Sequence, residues 1–302
     1  MQIITQTKPG PETEFEGDYI YNYLFQGVTE INKDKRLVVF SSNMNEKKPV
    51  DIQVNDVLCH LSNENLRFSY DFLSKENIVF RSYYDPFVLR KKCYAIPLGW
   101  QTGFANKDNL TGEHNKYIWC FIGQIKGYRQ PMYNAFKDLK PSFSSVNVEW
   151  NSNTLSNEDV KKVYLDTAFA LVPFGSIHAD TMRIMEVLEY GCIPVVIKYL
   201  RSDYYKYIYG DHPFIVANNW DEAKTKILSF WNDHDALVNK QNEVKEWYEK
   251  YKINLKKDVS EIINGMEPKF CSQWRYQKIG RFNIIMKLIW FYHFYIKKHP
   301  IY

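Results

Sequence analysis

Phe169-Ala170-Leu171-Val172-Pro173-Phe174-Gly175-Ser176-Ile177-His178-Ala179-Asp180-Thr181-Met182-Arg183-Ile184-Met185-Glu186-Val187-Leu188-Glu189-Tyr190-Gly191-Cys192-Ile193-Pro194-Val195-Val196-Ile197 is the stretch whose reading decides the fold. Two short apolar runs, Phe169 to Pro173 and Ile193 to Ile197, are strand-like, and between them lie a loop and a segment of helical periodicity. Asp180 is a suitable N-cap, Gly191 stands where a helix ends in a left-handed residue, and Pro194 keeps the helix from continuing. The spacing predicts a helix of roughly three turns. Strand, helix and strand in that order imply parallel pairing through a right-handed crossover.

The same alternation extends both ways from this unit. Upstream, Tyr117 to Ile122 reads as a strand, Pro131 to Asp138 as a helix and Asn157 to Thr167 as an amphipathic helix. Downstream, Pro213 to Ala217 adds a strand, Asp221 caps a helix reaching Trp231, and Asp235 to Tyr251 continues in helix. Residues 105–268 are therefore expected to form a doubly wound, Rossmann-like domain. Gln101 to Asn115 is rich in Gly, Asn, Lys and Thr without periodicity and reads as a linker. Before it, Leu37 to Phe40, Val57 to Leu61, Ile78 to Phe80 and Tyr94 to Leu98 are strand-like, so residues 1–104 read as a smaller α/β domain.

Composition bounds the function. With 45% hydrophobic and 25% charged residues, the chain of 302 residues is neither disordered nor fibrous and is long enough for two cores. The five cysteines are scattered with no C-x-x-C pair, which argues against a zinc or dithiol site and for reduced thiols. The N-terminus has no signal-peptide pattern and no run reaches the ~18 apolar residues of a membrane span, so a cytoplasmic chain is expected. A net charge of +4 is too mild to argue for nucleic acid as partner. The basic excess lies instead in residues 269–302, where seven Lys or Arg and no acid are interleaved with aromatic residues. That tail reads as a helix that either packs back on the N-terminal domain or makes peripheral contact with an anionic membrane.

The central helix carries the candidate chemistry. Arg183, Glu186 and Tyr190 share one of its faces, so a cation and a carboxylate point the same way. With backbone N–H groups of the Gly175 to Ala179 loop, Arg183 could hold a diphosphate as a fork donor and Glu186 could accept ribose hydroxyls. A surface Arg–Glu helical pair is the alternative. A second element, Gly123-Gln124-Ile125-Lys126-Gly127-Tyr128-Arg129, leads from a strand through two glycines into a helix, with Lys126 and Arg129 supplying positive charge for an oxyanion leaving group. A tight turn bearing a solvated basic pair would look the same.

Here the sequence resembles the exostosin-like glycosyltransferases, on Leu171-Val172-Pro173, Arg183, Glu186, Gly191 and Ile193-Pro194-Val195-Val196, and more loosely on Phe121-Ile122-Gly123-Gln124. The loop Ser176-Ile177-His178-Ala179 lacks that family's usual second basic residue. The resemblance implies an α/β chain of GT-B type: two Rossmann-like domains with a cleft between them and a C-terminal helix crossing back to the N-terminal domain. It implies transfer of a sugar from a nucleotide diphosphate, expected to be a UDP-sugar, to a glycan or glycolipid hydroxyl. Donor contacts are then expected from Gly123, Arg129, Gly175, Ser176, His178, Asp180, Thr181, Arg183 and Glu186, with Arg183 also catalytic; in that family the residue corresponding to Arg129 touches the diphosphate.

An inverting transfer needs a base for the acceptor hydroxyl. Glu64, in the polar loop after Leu61, is preferred; Asp85, in the loop after the next strand, competes, and His60 within an apolar strand reads better as a core residue. No cofactor and no catalytic metal are expected, because Asp233-His234-Asp235, the one D-x-D, lies at a helix start where capping explains it. Dinucleotide, P-loop, zincin and nucleophile-elbow motifs are missing from the sequence. A retaining transferase of the same fold, and an inactive nucleotide- or glycan-binding module, are the alternatives.

Overall fold

The computed structural model describes residues 1–6, 17–28, 34–41, 49–61, 69–83, 90–125, 129–147, 155–175, 179–199, 202–268 and 288. Among them, backbone hydrogen bonds gather the strands into two five-stranded sheets, parallel throughout. The first contains β1 (Gln2–Thr5), β2 (Arg36–Ser41), β3 (Val57–Leu61), β4 (Ile78–Ser82) and β5 (Cys93–Ile96), in sequence order. All residues of β3, β4 and β5 are buried, as parallel strands covered on both faces require. A single turn of π-helix, Ile20–Leu24, buries Ile20 and Leu24.

The second sheet is built from β6 (Tyr117–Gln124), α1 (Arg129–Phe136), β7 (Ser142–Asn147), α2 (Asn157–Leu165), β8 (Thr167–Leu171), α3 (Arg183–Glu189), β9 (Ile193–Ile197), α4 (Lys206–Tyr209), β10 (Ile215–Ala217), α5 (Trp220–Trp231) and α6 (His234–Ile263). Its strand order is β10-β9-β8-β6-β7. The chain runs outward from β6 to β7, returns to the other side of β6 with β8, and then continues away. The direction of winding thus reverses between β6 and β8, and open α/β sheets place ligands beyond the carboxyl ends of the strands at such a reversal.

Two strands escape the sequence pattern. β1 (Gln-Ile-Ile-Thr) and β7 (Ser-Phe-Ser-Ser-Val-Asn) are edge strands, each bonded to one neighbour, so neither needs the apolar run of a central strand. The helix expected to be capped by Asp180 begins later, at Arg183, and is seven residues long. Met182 precedes it with helical backbone angles and no side-chain cap, while the Asp180 carboxylate accepts from the next amide, Thr181 N, at 3.0 Å and from no amide inside the helix. Gly191 does end it at φ +80°, against the His114 ring. The cap of α5 is Asn219, whose side chain accepts from Glu222 N, and Asp221 sits in the first turn instead. Asp233 caps α6 by accepting from Ala236 N at 3.0 Å, which uses up the D-x-D segment as a helix start.

α6 runs past Tyr251 to Ile263, because a stripe at helical spacing (Val244, Tyr248, Tyr251, Leu255, Val259, Ile262) stays buried and no Gly or Pro interrupts it. At about 1.5 Å per residue its thirty residues reach about 45 Å, enough to span both sheets. Its distal half docks on the first one: Tyr23 Oη donates to the Lys252 carbonyl at 3.0 Å, the Lys256 ammonium lies 5.0 Å from the Tyr23 ring centroid, and Lys35 donates to the Ile263 carbonyl. This helix makes the return crossing. The basic tail, apart from the exposed Leu288, lies outside the described residues. Among the described residues no helix is long and apolar enough to cross a membrane.

Candidate functional site

β6 and β8 are neighbours in the second sheet, and the helix that follows each of them sends an arginine to a carbonyl near the end of β6. Arg183, the first residue of α3, donates from Nη2 to the Ile122 carbonyl at 2.5 Å, with its guanidinium 5.2 Å from the Phe121 ring centroid. Gly123 leaves the room: a Cβ there would stand 2.7 Å from Arg183 Nη2, and its φ of +147° disfavours any side chain. Arg183 Nε is buried without a partner. Arg129, the first residue of α1, donates to the Phe174 carbonyl from Nε (3.1 Å) and Nη2 (2.9 Å) and to the Gln124 carbonyl from Nη1 (3.2 Å). It therefore ties the end of β6 to the loop after β8, a fork donor clamping backbone where the sequence suggested a diphosphate contact.

One turn along α3, Glu186 is buried, and its Oε1 accepts from Gln101 N at 3.4 Å, in the segment joining the two sheets. Burial pushes its carboxyl up to about 7, partly offset by the Arg183 charge and the Gln101 amide. A surface Arg–Glu pair does not look like this, because an exposed carboxylate would keep its ordinary value. Asp180 is also buried, with Oδ1 accepting from Tyr209 Oη at 3.2 Å, and burial raises it to about 7 as well. The Leu98 amide also bonds the Asp180 carboxylate, while Thr181 Oγ1 is buried without a hydrogen-bond partner. Tyr190 turns away from Arg183 and Glu186 to donate to the Phe104 carbonyl at 3.1 Å.

Thus Gly123, Arg129, Gly175, Asp180, Thr181, Arg183 and Glu186 all lie at or beside the carboxyl ends of β6 and β8. Ser176 and His178 lie outside the described residues, as does Lys126. So do Glu64 and Asp85, which follow the carboxyl ends of β3 and β4 in the chain. His60 is a core residue: its Nδ1 is 2.6 Å from Tyr70 Oη, it stacks on Phe40, and burial drives its pKa well below the usual range, with the Arg81 charge adding to the effect. Among the described residues no group of His, Cys, Asp or Glu could hold a metal ion.

Sequence reasoning missed a buried aromatic pair in the half of the chain built on the first sheet. Tyr19, before the π-helical turn, packs edge-on against Trp100 at 4.9 Å between centroids, over Gly99. Tyr19 Oη and Trp100 Nε1 are buried and unbonded. Burial raises the Tyr19 phenol well above its ordinary value, with the Tyr23 and Asp180 charges adding to the effect.

No family model matches the sequence, and no curated protein is significantly similar to it. Solved structures are similar in fold. A DNA-modifying β-glucosyltransferase, solved with and without its substrate uridine diphosphoglucose, superposes with a TM-score of 0.53 at 12% identity over 87% of this chain and 99% of that one. An α1,3-fucosyltransferase gives 0.48 at 13% identity over 89% and 93%, and the T4 phage glucosyltransferase in complex with UDP-glucose gives 0.49 at 10% identity over 87% and 98%. At these identities the likeness speaks for architecture. Two parallel, Rossmann-like sheets, the reversal of winding at β6 and β8, and the long return helix give this chain the GT-B glycosyltransferase fold.

Proposed function

We propose that the chain is a glycosyltransferase that moves a sugar from a nucleotide diphosphate, a UDP-sugar, to a hydroxyl of a glycan or glycolipid, with inversion and without a metal. The observation that carries this reading is the pairing of Arg183 and Glu186 at the winding reversal of the second sheet, one a fork donor with an unbonded Nε and the other a buried carboxylate. A diphosphate takes the guanidinium and a ribose diol takes the carboxylate. The seven-residue α3 contributes little dipole, so Arg183 supplies most of the charge. Arg129 acts one step back, by fixing the loops that approach the phosphates. The motif resemblance to the exostosin-like family is a further support.

In the reaction the base takes the acceptor proton, the acceptor oxygen forms a bond to the anomeric carbon, and the bond from that carbon to phosphate oxygen breaks with its electron pair on the departing UDP. Arg183 stabilises the charge that grows on the leaving oxygens. Residues 1–104 serve the acceptor, with Glu64 as base and Asp85 as its rival; residues 105–268 serve the donor. The experiment is turnover of UDP-sugars together with UDP affinity for Glu64→Gln and Glu186→Ala. Glu64→Gln should keep UDP affinity and lose about 10² to 10⁴ in kcat. Glu186→Ala should weaken UDP binding. UDP binding by the wild type without any turnover would instead mark a binding module, and an absolute need for Mn²⁺ or Mg²⁺ would refute the metal-free reading.

A further inference from the structure

Arg183 and Glu186 lie on the first turn of α3 and are accounted for by the nucleotide, which leaves the last residue of that helix, Glu189, without a role. Its side chain is 5% exposed, and its partners come from other parts of the chain. Oε1 accepts from Tyr248 Oη at 2.6 Å and stands 3.5 Å from Lys252 Nζ, both on α6. Oε2 accepts from Asn106 N at 3.3 Å, in the segment that joins the two sheets, and Asn106 Nδ2 donates in return to the Glu189 carbonyl at 3.0 Å. The carboxylate and the carbonyl of one residue are thereby occupied by two elements remote from it in sequence.

The joining segment follows α3 along its whole length. In chain order, the Leu98 amide bonds the Asp180 carboxylate, the Gln101 amide donates to Glu186, the Phe104 carbonyl accepts from Tyr190 Oη, and Asn106 meets Glu189. From the Glu189 end the contacts pass on to the half built on the first sheet. Lys252, whose ammonium faces Glu189, takes the Tyr23 hydroxyl on its carbonyl, and Lys107 Nζ, next to Asn106, stands 3.7 Å from Asp18 Oδ1. A carboxylate taken out of water is tolerated only where donors meet it in one geometry, so a buried group with three donors from two elements fixes those elements relative to each other. A surface ion pair would be loose and worth little.

We propose that Glu189 is a positioning residue for sugar transfer: by tying α3 to the joining segment and to α6, it sets how the acceptor half faces the donor held on Arg183 and Glu186. The proposal rests on the nucleotide-sugar reading above. In this role Glu189 touches no substrate. UDP binding needs only the second sheet and α3, whereas transfer needs both halves in place, so loss of Glu189 separates the two.

The test uses the full chain and its Glu189→Ala, Tyr248→Phe and doubly substituted variants. Calorimetry measures UDP affinity, UDP release from UDP-glucose, UDP-galactose and UDP-N-acetylglucosamine measures turnover with water in the acceptor's place, and amide exchange reports local opening. Glu189→Ala should hold UDP within about threefold and keep the donor KM, yet lose about 10²-fold in kcat, the cost of a misplacement of about 1 Å. Tyr248→Phe should lose less, and nothing further on top of Glu189→Ala, because it acts through that carboxylate. Exchange should quicken in residues 98–106 and 244–252 while β6 and β8 keep their protection. An unchanged kcat in Glu189→Ala overturns the proposal, as do independent effects of the two substitutions, or exchange that quickens equally in every strand, the mark of a general loss of stability. If Glu189→Ala does not fold, Tyr248→Phe decides alone: lower kcat at unchanged UDP affinity upholds the role, and unchanged kcat overturns it. A wild type that binds no UDP, or releases none from any of the three donors, overturns the nucleotide-sugar reading and the role with it.

Discussion

Gly123→Ala tests the geometry on which the candidate site depends. The new methyl would stand 2.7 Å from Arg183 Nη2, closer than real Cβ atoms approach a neighbour, so the guanidinium must leave the Ile122 carbonyl it holds at 2.5 Å. Two costs follow. A side chain at φ +147° costs about 1–3 kcal/mol, and losing a hydrogen bond from a charged group costs about 1.5–3 kcal/mol. The two overlap if Arg183 finds a new partner, so a loss of roughly 2–5 kcal/mol is expected. Gly27→Ala supplies the control, since Gly27 also has a positive φ of +81° but nothing within 4 Å of an added Cβ. It should show the backbone cost alone. Urea denaturation of both variants measures stability, and calorimetry measures UDP affinity, which should fall about 10- to 100-fold in Gly123→Ala and not at all in Gly27→Ala. The reasoning fails if the two variants are equally stable and both bind UDP as the wild type does.

Four further outcomes rest on the same structure. Gly99→Ala drives a Cβ into the Tyr19 ring at 2.1 Å and should cost more than about 3 kcal/mol or prevent folding; a soluble variant with wild-type denaturation would contradict the packing of Tyr19 on Gly99. Asp180 and Glu186 are raised from ordinary values of 3.8 and 4.5 to about 7, so the folded state binds their protons more tightly than the unfolded chain does. The stability from these protons is full below about pH 4 and is lost as pH rises through 7, on the order of 4 kcal/mol for Asp180 and about 3 kcal/mol for Glu186. Denaturation midpoints from pH 5 to 8 should fall less steeply in Asp180→Asn and Glu186→Gln, and identical slopes would remove this account. Finally, Arg183→Ala should lower kcat more than it raises KM, because the charge it meets grows as the diphosphate departs. Arg129→Lys, which cannot fork between the Phe174 and Gln124 carbonyls, should lose stability as well as rate; full stability there would show that the clamp carries no weight.

By itself the sequence determined the central strands, the αβ alternation and the Arg183/Glu186 pair, because these are recorded within short windows. β3, β4, β8 and β9 are apolar since both faces of a parallel sheet are covered, and Gly191 marks a helix end through a backbone angle that few residues tolerate. Edge strands β1 and β7 need no such pattern, and whether Asp180 caps a helix depends on where α3 begins. Other features belong to no window. Arg129 looks like a free cation in sequence, and only the adjacency of β6 and β8, distant in the chain, turns it into a clamp on Phe174 and Gln124. Tyr19 and Trp100 lie about eighty residues apart in the chain and carry no motif. α6 and the segment around Gln101 tie the two sheets together, and desolvation raises the Asp180 and Glu186 carboxyls to about 7. Burial is a property of the assembled chain, so the charge state of this site was the tertiary structure's to decide.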